Sequence, residues 1–244
     1  MRSLCRFTPF KLGLCACLYV GFSSAATTLP ETSVNAAEAD LDDPRVKEVT
    51  TATRTSTPPR YVPQAIDSVK TSNLMDYGIN TLGQALSGIP NVSSTADTRF
   101  DSLRIRGFDA SNDFYLDGIR DDSQYVRDLH NIERIEVLKG PAAVLYGRGS
   151  QGGIINRVSK TPQYGRPSSI QAQGGTDDLR SLYADLSADP SDTLSLRLNM
   201  GNEDKNSFRD HVSGNRQLFA PSMSWQITPD LNWLVQYESS RYNR

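Results

Sequence analysis

Apolar and polar residues alternate along the part of the chain that follows Arg166. The alternation defines five segments, which begin near Ser169, Ser181, Leu194, Gln217 and Leu231. Because successive side chains of a strand point to opposite faces, each segment predicts a strand with one apolar and one polar face. Short turns alternate with a long polar stretch at 202–216, and aromatic residues lie towards strand ends. These features favour a transmembrane β-barrel over the alternative, a soluble antiparallel sandwich, which alternates in the same way.

Residues 61–163 show a mixed pattern instead. Helical spacing covers 71–75, 81–86 and 141–145, and strand-like runs cover 102–106, 114–116, 132–138 and 154–159. Short helices and strands that interleave over roughly 100 residues are typical of one compact α+β domain. The pattern therefore predicts an α+β domain followed by antiparallel strands.

The first 26 residues have the layout of a secretory signal peptide. Three basic residues precede the apolar run 12–22, and small residues offer a cleavage site after Ala26. The apolar run is too short to cross a bilayer as a helix, which disfavours a membrane anchor. All three cysteines of the chain lie in this segment: Cys5, Cys15 and Cys17. The exported chain would therefore have neither disulfides nor cysteine-based metal sites.

Residues 27–60 are polar and lack apolar periodicity, which predicts a flexible arm. Within the arm, residues 46–53 are rich in β-favouring types. Such a segment is suited to pair as an added strand with the sheet edge of another protein. A solvated linker is the alternative interpretation of the same residues.

The stretch LYGRGSQGG (145–153) has the spacing G-x-G-x-x-G of dinucleotide-binding turns. Such a turn needs a strand before the glycines and a helix after them, because the helix N-terminus holds the pyrophosphate. Here the predicted helix comes first and the predicted strand follows, and the first acid beyond the glycines is Asp177. The order of elements argues against nucleotide binding, so the glycines need another explanation.

The net charge and the titratable residues argue against nucleic-acid binding, metal binding and enzyme catalysis. Without the predicted signal peptide, 23 Lys and Arg face 28 Asp and Glu, so no basic surplus indicates a nucleic-acid partner. The two histidines, His130 and His211, lack the spacing of paired metal ligands. No Ser/His/Asp, Cys/His or paired-carboxylate arrangement stands out. The sequence therefore predicts a protein that is not an enzyme and that has no resident cofactor or directly bound metal.

Five motifs in order resemble those of the TonB-dependent outer-membrane receptors, in particular the ferric-siderophore branch. They are LRIRGF (103–108), FYLDGIR (114–120), IERIEVLKGP (132–141), LYGRGS (145–150) and GGIIN (152–156). The resemblance implies an α+β plug domain at 61–163, with a mixed four-stranded sheet and short helices. It also implies that residues 164–244 are the first five strands of a transmembrane β-barrel of about 22 strands.

The function that the resemblance implies is TonB-dependent uptake of a ferric siderophore across the outer membrane of a Gram-negative bacterium. The ferric chelate binds at the apices of the plug and the extracellular loops. TonB, energised by its inner-membrane complex, then captures the arm as an added strand and rearranges the plug. The implied partners are the ferric siderophore, TonB and outer-membrane lipid, and iron is cargo rather than cofactor.

The resemblance also places the residues that act on partners. The TonB box falls at Glu48, Val49, Thr50, Thr51 and Ala52. Two basic residues fall where family plugs pair with barrel acids: Arg106 and Lys139. An anionic iron chelate favours cations and aromatic or amide faces, so the candidates for ligand contact in the apical loops are Arg99, Phe100, Ser111, Asn112 and Tyr125.

The glycines of the motifs have an architectural explanation within the resemblance. A turn between plug helix and plug strand that runs close to the barrel wall needs glycine, because only glycine allows close backbone approach and positive φ. The glycines expected to be structural are Gly107, Gly118, Gly140, Gly147, Gly149, Gly152 and Gly153.

The length of the chain is small for a complete receptor. A barrel of roughly 22 strands, each of about 10 residues, needs more than the 84 residues that follow Lys160. Five strands also leave open edges, which lipid does not tolerate. We therefore expect the chain to be part of a longer receptor. The alternative is a truncated periplasmic plug-like module that binds chelate without transport, although its lipid-facing strands would then be exposed to water.

Overall fold

A computed structural model of the chain describes residues 45–95, 100–121, 123–147, 151–206 and 213–243. The predicted signal peptide and the part of the arm before residue 45 lie outside these ranges. No helix within them is long and apolar enough to cross a membrane. Residues 43–244 form one compact unit, so the predicted domain boundary near residue 163 stays a prediction.

The described residues form short helices and many strands. The helices are α1 (Thr71–Met75), α2 (Leu82–Leu86) and α3 (Ala143–Tyr146), with a 3-10 turn at Pro59–Tyr61. The strands of the first part are β1 (Ala65–Lys70), β2 (Val92–Thr95), β3 (Ser102–Ile105), β4 (Phe108–Asp109), β5 (Phe114–Leu116), β6 (Ile119–Arg120), β7 (Ile132–Lys139) and β8 (Gly153–Ser159). Those of the second part are β9 (Ser169–Gly174), β10 (Arg180–Ser191), β11 (Leu194–Asn206), β12 (Ser213–Thr228), β13 (Leu231–Gln236) and β14 (Ser239–Asn243).

Five strands of the first part form the central sheet, in the order β1-β7-β8-β5-β6, and β2, β3 and β4 form a small antiparallel sheet. Strand β5 runs parallel to β8, whereas the other neighbours in the central sheet are antiparallel. The mixed sheet is therefore confirmed, with five strands where the sequence predicts four. Strand β1 pairs with β7 over its whole length, and β6 adds two residues at the other edge.

One face of the central sheet carries the main hydrophobic core. Ile135 and Val137 of β7 and Phe114 of β5 are completely buried there. They pack in one cluster with Leu82 and Leu86, which lie one helical turn apart on α2. Full burial of an apolar side chain of this size contributes about 1.5–3 kcal/mol. Burial of Leu82 and Leu86 therefore holds the predicted helix at 81–86 against the central sheet.

Two of the predicted structural glycines complete tight turns between neighbouring strands. Arg106 and Gly107 join β3 to β4 with φ of 54° and 86°. Asp117 and Gly118 join β5 to β6 with φ of 50° and 77°. Positive φ at both central residues is the geometry of the two-residue hairpin turn that matches strand twist.

The outer sheet consists of β9–β14 and confirms the five predicted antiparallel segments. Its order is β13-β12-β11-β10-β9, and β14 also pairs with β12. Large apolar residues point away from the α+β domain and are exposed: Leu182, Leu186, Leu196, Met200, Phe219, Trp225 and Trp233. The alternate positions face the domain and are buried, and most of them are polar: Tyr183, Arg197, Asn199, Arg216 and Leu218. The sheet is therefore apolar outside and largely polar inside.

The fifth predicted segment is one strand with an interruption at Tyr237 and Glu238. Pro221 stands opposite on β12 and has no N–H to donate, so the ladder cannot continue there. The N–H of Tyr237 still donates to the carbonyl of Pro221 at 3.0 Å. The alternation is kept across the interruption, so Glu238 faces the α+β domain, where its side chain accepts a hydrogen bond from Asn131 at 2.7 Å.

Candidate functional site

Residues 48–57, named the docked segment here, lie against the central sheet. Val49 and Thr57 exchange both backbone hydrogen bonds, at 2.9 and 3.0 Å, which closes the segment into a small loop. Val49 is completely buried, and Thr51 and Ala52 are nearly so. This part of the chain is therefore neither the flexible arm nor the solvated linker that the sequence suggests, because its polar groups find partners in the α+β domain.

The carboxylate of Glu136, on β7, is the main acceptor for the docked segment. Its Oε2 accepts hydrogen bonds from the backbone N–H groups of Thr50 and Thr51, at 3.1 and 2.9 Å, and from the Thr51 hydroxyl at 2.5 Å. Its Oε1 accepts from Arg134 Nε at 2.7 Å. Glu136 is fully buried. A buried carboxylate is stable only where such donors replace water.

Three further side chains contact the docked segment or belong to it. The Tyr146 hydroxyl donates to the carbonyl of Thr51 at 2.8 Å, and Asn156 Nδ2 donates to the Thr51 hydroxyl at 2.9 Å. The Arg54 guanidinium lies 4.3 Å from the centre of the Tyr146 ring and donates to the carbonyl of Gly118. Every polar atom of Thr51, in the predicted TonB box, therefore has a partner.

The predicted ligand-contacting loops meet around Tyr125. The N–H of Asp101 donates to the carbonyl of Tyr125 at 3.3 Å, which joins the loop that holds Phe100 to the loop at 123–126. Phe100 and Tyr125 are both half-buried. Arg99 lies outside the described residues, and its contact with the ligand stays a prediction.

The predicted ligand loop that contains Ser111 and Asn112 is held against the small sheet of β2, β3 and β4. Both the N–H and the hydroxyl of Ser111 donate to Asp109, at 2.9 and 2.6 Å, and these hydrogen bonds lower the pKa of Asp109. The Ser111 hydroxyl is also 3.3 Å from the hydroxyl of Ser102, the first residue of β3. Asn112 is exposed, and its carbonyl accepts from Arg120 at 3.0 Å. The Ser111 hydroxyl is therefore already engaged within the domain.

Beneath these loops, Asp121 joins two buried arginines. Its Oδ2 accepts from Arg157 at 2.5 Å, from Arg127 Nε at 3.2 Å and from the Tyr125 hydroxyl at 2.7 Å. Arg127 also pairs with Asp101 at 3.5 Å. Burial raises the pKa of Tyr125, so the phenol keeps the proton that it donates. The sequence pattern does not predict this network, because its members come from two loops and one strand that are far apart along the chain.

The two predicted plug–barrel cations lie near each other. Lys139 forms an ion pair with Asp67 of β1 inside the α+β domain. Arg106 is exposed in its turn, and its guanidinium lies 3.4 Å from the position that a Cβ on Gly140 would take. Pairing of either residue with a barrel acid stays a prediction.

Two glycines of LYGRGSQGG, Gly152 and Gly153, lie against neighbouring strands of the α+β domain. A Cβ on Gly152 would overlap the carbonyl oxygen of Ile105 in β3, and a Cβ on Gly153 would overlap that of Leu138 in β7. Gly153 also has φ of 141°. Gly147 and Gly140 have φ of 67° and 112°, and Gly149 lies outside the described residues. Close approach within the domain therefore explains Gly152 and Gly153.

A charged cluster that no sequence motif predicts joins the α+β domain to the outer sheet. Because an ionised carboxylate can only accept, His130 Nδ1 donates to Asp128, at 2.8 Å. The His130 ring stacks on Tyr183 of β10 with 3.2 Å between ring centres. Arg216 of β12 lies 3.8 Å from Asp128. Burial alone would raise the pKa of Asp128, but the hydrogen bond and charge of His130, with the charge of Arg216, hold it at about 2.

A second contact between the two parts centres on Asp185 of β10. Its carboxylate accepts hydrogen bonds from Lys160 Nζ, at 2.9 Å, and from Nε and Nη2 of Arg197, at 2.8 and 2.7 Å. The sequence offers one signal for this contact, which is a charged residue at an inward position of an alternating strand, as at Asp185 and Arg197.

Across the described ranges, no three His, Cys, Asp or Glu side chains group as a metal site.

Sequence comparison identifies the relatives of this chain. A family model described as TonB-dependent Receptor Plug Domain matches residues 58–154. The chain is 37% identical over 211 residues to the metal-pseudopaline receptor CntO of Pseudomonas aeruginosa, with 84% of this chain and 30% of that protein covered. It is 31% identical over 235 residues to the catecholate siderophore receptor Fiu of Escherichia coli K12, with 89% and 30% covered. The chain thus spans about 30% of the length of these relatives.

The solved structures agree with the sequence relatives. The ferripyoverdine receptor of the Pseudomonas aeruginosa outer membrane, bound to ferripyoverdine, superposes with a TM-score of 0.73 at 28% identity. The match covers 78% of this chain and 27% of that receptor. Both the mixed central sheet and the antiparallel outer sheet are therefore accounted for by one architecture. The chain belongs to the TonB-dependent receptor family, and it contains the family's plug domain followed by antiparallel barrel strands.

Proposed function

We propose that this chain is the plug-bearing part of an outer-membrane receptor that imports a ferric siderophore with energy delivered through TonB. The observation that carries the proposal is the position of β8 between the two predicted partner sites. Asn156 of β8 contacts Thr51 of the predicted TonB box, and the next residue, Arg157, contacts Asp121 beneath the predicted ligand loops. Successive residues of a strand point to opposite faces. One strand therefore touches both sites.

The names of the relatives support a chelated metal as the cargo. They specify metal-pseudopaline for one receptor, a catecholate siderophore for another and ferripyoverdine for a third. These are different chelators, so the proposal commits to a ferric siderophore and not to one chemical type. Iron enters as part of the transported ligand, and the proposed output is transport without covalent chemistry.

The exposed face of the outer sheet supports the membrane location over the soluble plug-like module. Large apolar side chains are paired across neighbouring strands on this face, Met200 with Phe219 and Trp225 with Trp233, and all four are exposed. A soluble protein with such a surface would tend to aggregate. The outer membrane of a Gram-negative bacterium provides the apolar medium that this face requires.

Removing the aromatic residue of a predicted ligand loop is expected to weaken binding of the chelate. In the receptor expressed from its complete gene, Phe100→Ala should raise the Kd of the ferric siderophore about tenfold, because one aromatic contact contributes roughly 1–1.5 kcal/mol. Arg99→Ala should act in the same direction, since it removes a cation near an anionic chelate. Quenching of intrinsic fluorescence during titration gives the Kd.

The matched control for this titration is Tyr164→Ala. Tyr164 is an exposed aromatic residue that hydrogen-bonds at 3.4 Å to Asp192, in the turn between β10 and β11. Its replacement should leave the Kd unchanged. Equal Kd values for Phe100→Ala, Arg99→Ala and the unsubstituted receptor would remove these loops from the proposed site.

A further inference from the structure

A groove of about 620 Å³ lies on the outer face of the outer sheet, which points away from the α+β domain. It crosses four neighbouring strands, β10, β11, β12 and β14. One row of lining side chains is apolar and consists of Ala184, Met200 and Phe219. The adjacent row is polar from β11 to β14 and consists of Asn202, Gln217 and Arg241. The groove, named the outer groove here, therefore lies where the apolar surface of the sheet ends.

The height of the polar row in a membrane follows from the direction of the strands. The short turns at 192–193 and 229–230 are at the opposite end of the sheet, and barrels have their short turns on the periplasmic side. Leu231 begins β13 at that end, and Arg241 follows ten positions later, which is about 33 Å along the strand and about 25 Å in height at the usual tilt. The apolar band of a barrel is also about 25 Å tall. Arg241 is therefore expected at the extracellular boundary of the hydrocarbon layer.

Two exposed arginines flank the outer groove, Arg241 on β14 and Arg180 on β10. Within the described ranges, neither of them forms an ion pair or a hydrogen bond through its side chain. Asp204 stands opposite Arg180, but its oxygens accept hydrogen bonds from Asn202 and Asn215, at 3.0 and 2.5 Å. Two strands lie between β10 and β14, so the arginines are about 14 Å apart across the sheet. Both guanidinium groups are therefore available to bind anions at the height of the lipid headgroups.

We propose that the outer groove binds a phosphorylated glycolipid of the outer leaflet, which is lipopolysaccharide in a Gram-negative outer membrane. An acyl chain packs over the apolar row, and the two phosphates of the glycan headgroup bind Arg241 and Arg180. A guanidinium group suits phosphate because it donates two parallel hydrogen bonds to it. A phospholipid carries one phosphate and engages only one of the two arginines. This inference rests on the proposed membrane location and does not depend on the siderophore or on TonB.

Native mass spectrometry of the detergent-purified receptor, expressed from its complete gene, measures binding of the lipid. Titration with diphosphoryl lipid A gives a Kd from the fraction of receptor that carries the lipid. Arg241→Gln should raise this Kd about tenfold, because it removes a bidentate, charge-assisted contact with phosphate. Phosphatidylglycerol, the single-phosphate probe, should bind the unsubstituted receptor about tenfold more weakly than lipid A.

Lys205→Gln is the matched control for loss of a positive charge. Lys205 is an exposed residue of β11 near the same height, and it lies on the face of the sheet that Glu203 shares, opposite to the outer groove. Its replacement should leave the Kd of lipid A unchanged. A rise in Kd as large as that of Arg241→Gln would reduce the effect to net charge and overturn the site.

A second variant tests the apolar part of the outer groove and keeps both arginines. Ala184→Phe fills the groove with an aromatic ring, a residue type that strands favour. The Kd of lipid A should rise about fivefold, since the acyl chain loses its contact with the apolar row. The difference in gel mobility between unheated and heated samples shows whether each variant is folded. Where Arg241→Gln does not fold, Ala184→Phe carries the test.

The outcomes separate this inference from the proposed function. An unchanged Kd for lipid A in either folded variant would overturn the site. Equal Kd values of lipid A and phosphatidylglycerol for the unsubstituted receptor would overturn the assignment to a glycolipid. A receptor that binds lipid A through Arg241 but takes up no ferric siderophore would support the lipid site and contradict the proposed function alone.

Discussion

Replacing Asp121 with alanine is expected to lower the free energy of unfolding by about 3–5 kcal/mol. Removing one member of a buried ion pair leaves the other charge without compensation, and the cost is of this size. Asp121 is the only carboxylate within ion-pair distance of Arg157 in the part of the chain that the structure describes. Arg157 is completely buried, as is Arg127, which contacts the same oxygen. Urea denaturation followed by circular dichroism measures the change.

Asp76→Ala is the matched control for this substitution. Asp76 is an exposed residue that follows α1, and surface changes of this kind usually stay within about 0.5 kcal/mol. A loss of stability in Asp121→Ala no larger than in Asp76→Ala would show that the arginines do not depend on Asp121. Asp121→Asn should lie between the two, because the amide oxygen still accepts a hydrogen bond but carries no charge.

The second large effect is expected at Gly153, where alanine should cost about 3 kcal/mol. A Cβ at this position would overlap the carbonyl oxygen of Leu138 on the neighbouring strand, and φ of 141° is unfavourable for any residue with a Cβ. Backbone atoms of a paired strand cannot move aside as a side chain can. We therefore expect β8 to separate from β7 at its first pair, Gly153 and Lys139.

Gly88→Ala provides the comparison for Gly153→Ala. Gly88 is exposed, no atom lies within 4 Å of the position of an added Cβ, and its φ is outside the left-handed region. Alanine at this position should change the urea midpoint little. Equal midpoints for the two variants would contradict the explanation of the glycine-rich stretch as close approach between strands.

The elements that the sequence predicts well are those whose signal is local. The alternation from Leu194 to Met200 has a period of two because one face of β11 is buried and the other is not. The turn at Asp117 and Gly118 is predicted by its residue types, since positive φ favours glycine. In both cases the information needed lies within a few neighbouring residues. Similarity to the plug motifs then supplies the order of the elements.

Docking of residues 48–57 against the central sheet could not be predicted, because it depends on residues far apart in the sequence. Thr51 and Glu136 are 85 positions apart, and neither residue type is unusual for an exposed arm or a strand. Nothing in the pattern IERIEVLKGP distinguishes Glu136, which is fully buried, from Glu133, which is half-exposed. The position of a carboxylate beneath a chain segment is a property of tertiary packing alone.

The contacts between plug and outer sheet were also missed, although part of their signal is present. Asp185, Arg197 and Arg216 occupy inward positions of strands whose outward positions are apolar. Charged residues on the inner side of an alternating strand need partners, because unpaired buried charges are costly. The pattern shows that partners are needed, but only the fold identifies them as Lys160 and Asp128.

Uptake of radioactive iron, supplied as ferric siderophores of several chemical types, tests the central claim most directly. Cells that express the complete gene are compared with otherwise identical cells that lack TonB. We expect at least one ferric siderophore to be taken up, and its uptake to fall to background without TonB. Uptake that is the same in cells without TonB, or no uptake of any of the ferric siderophores, would contradict the proposal of an energised ferric-siderophore receptor.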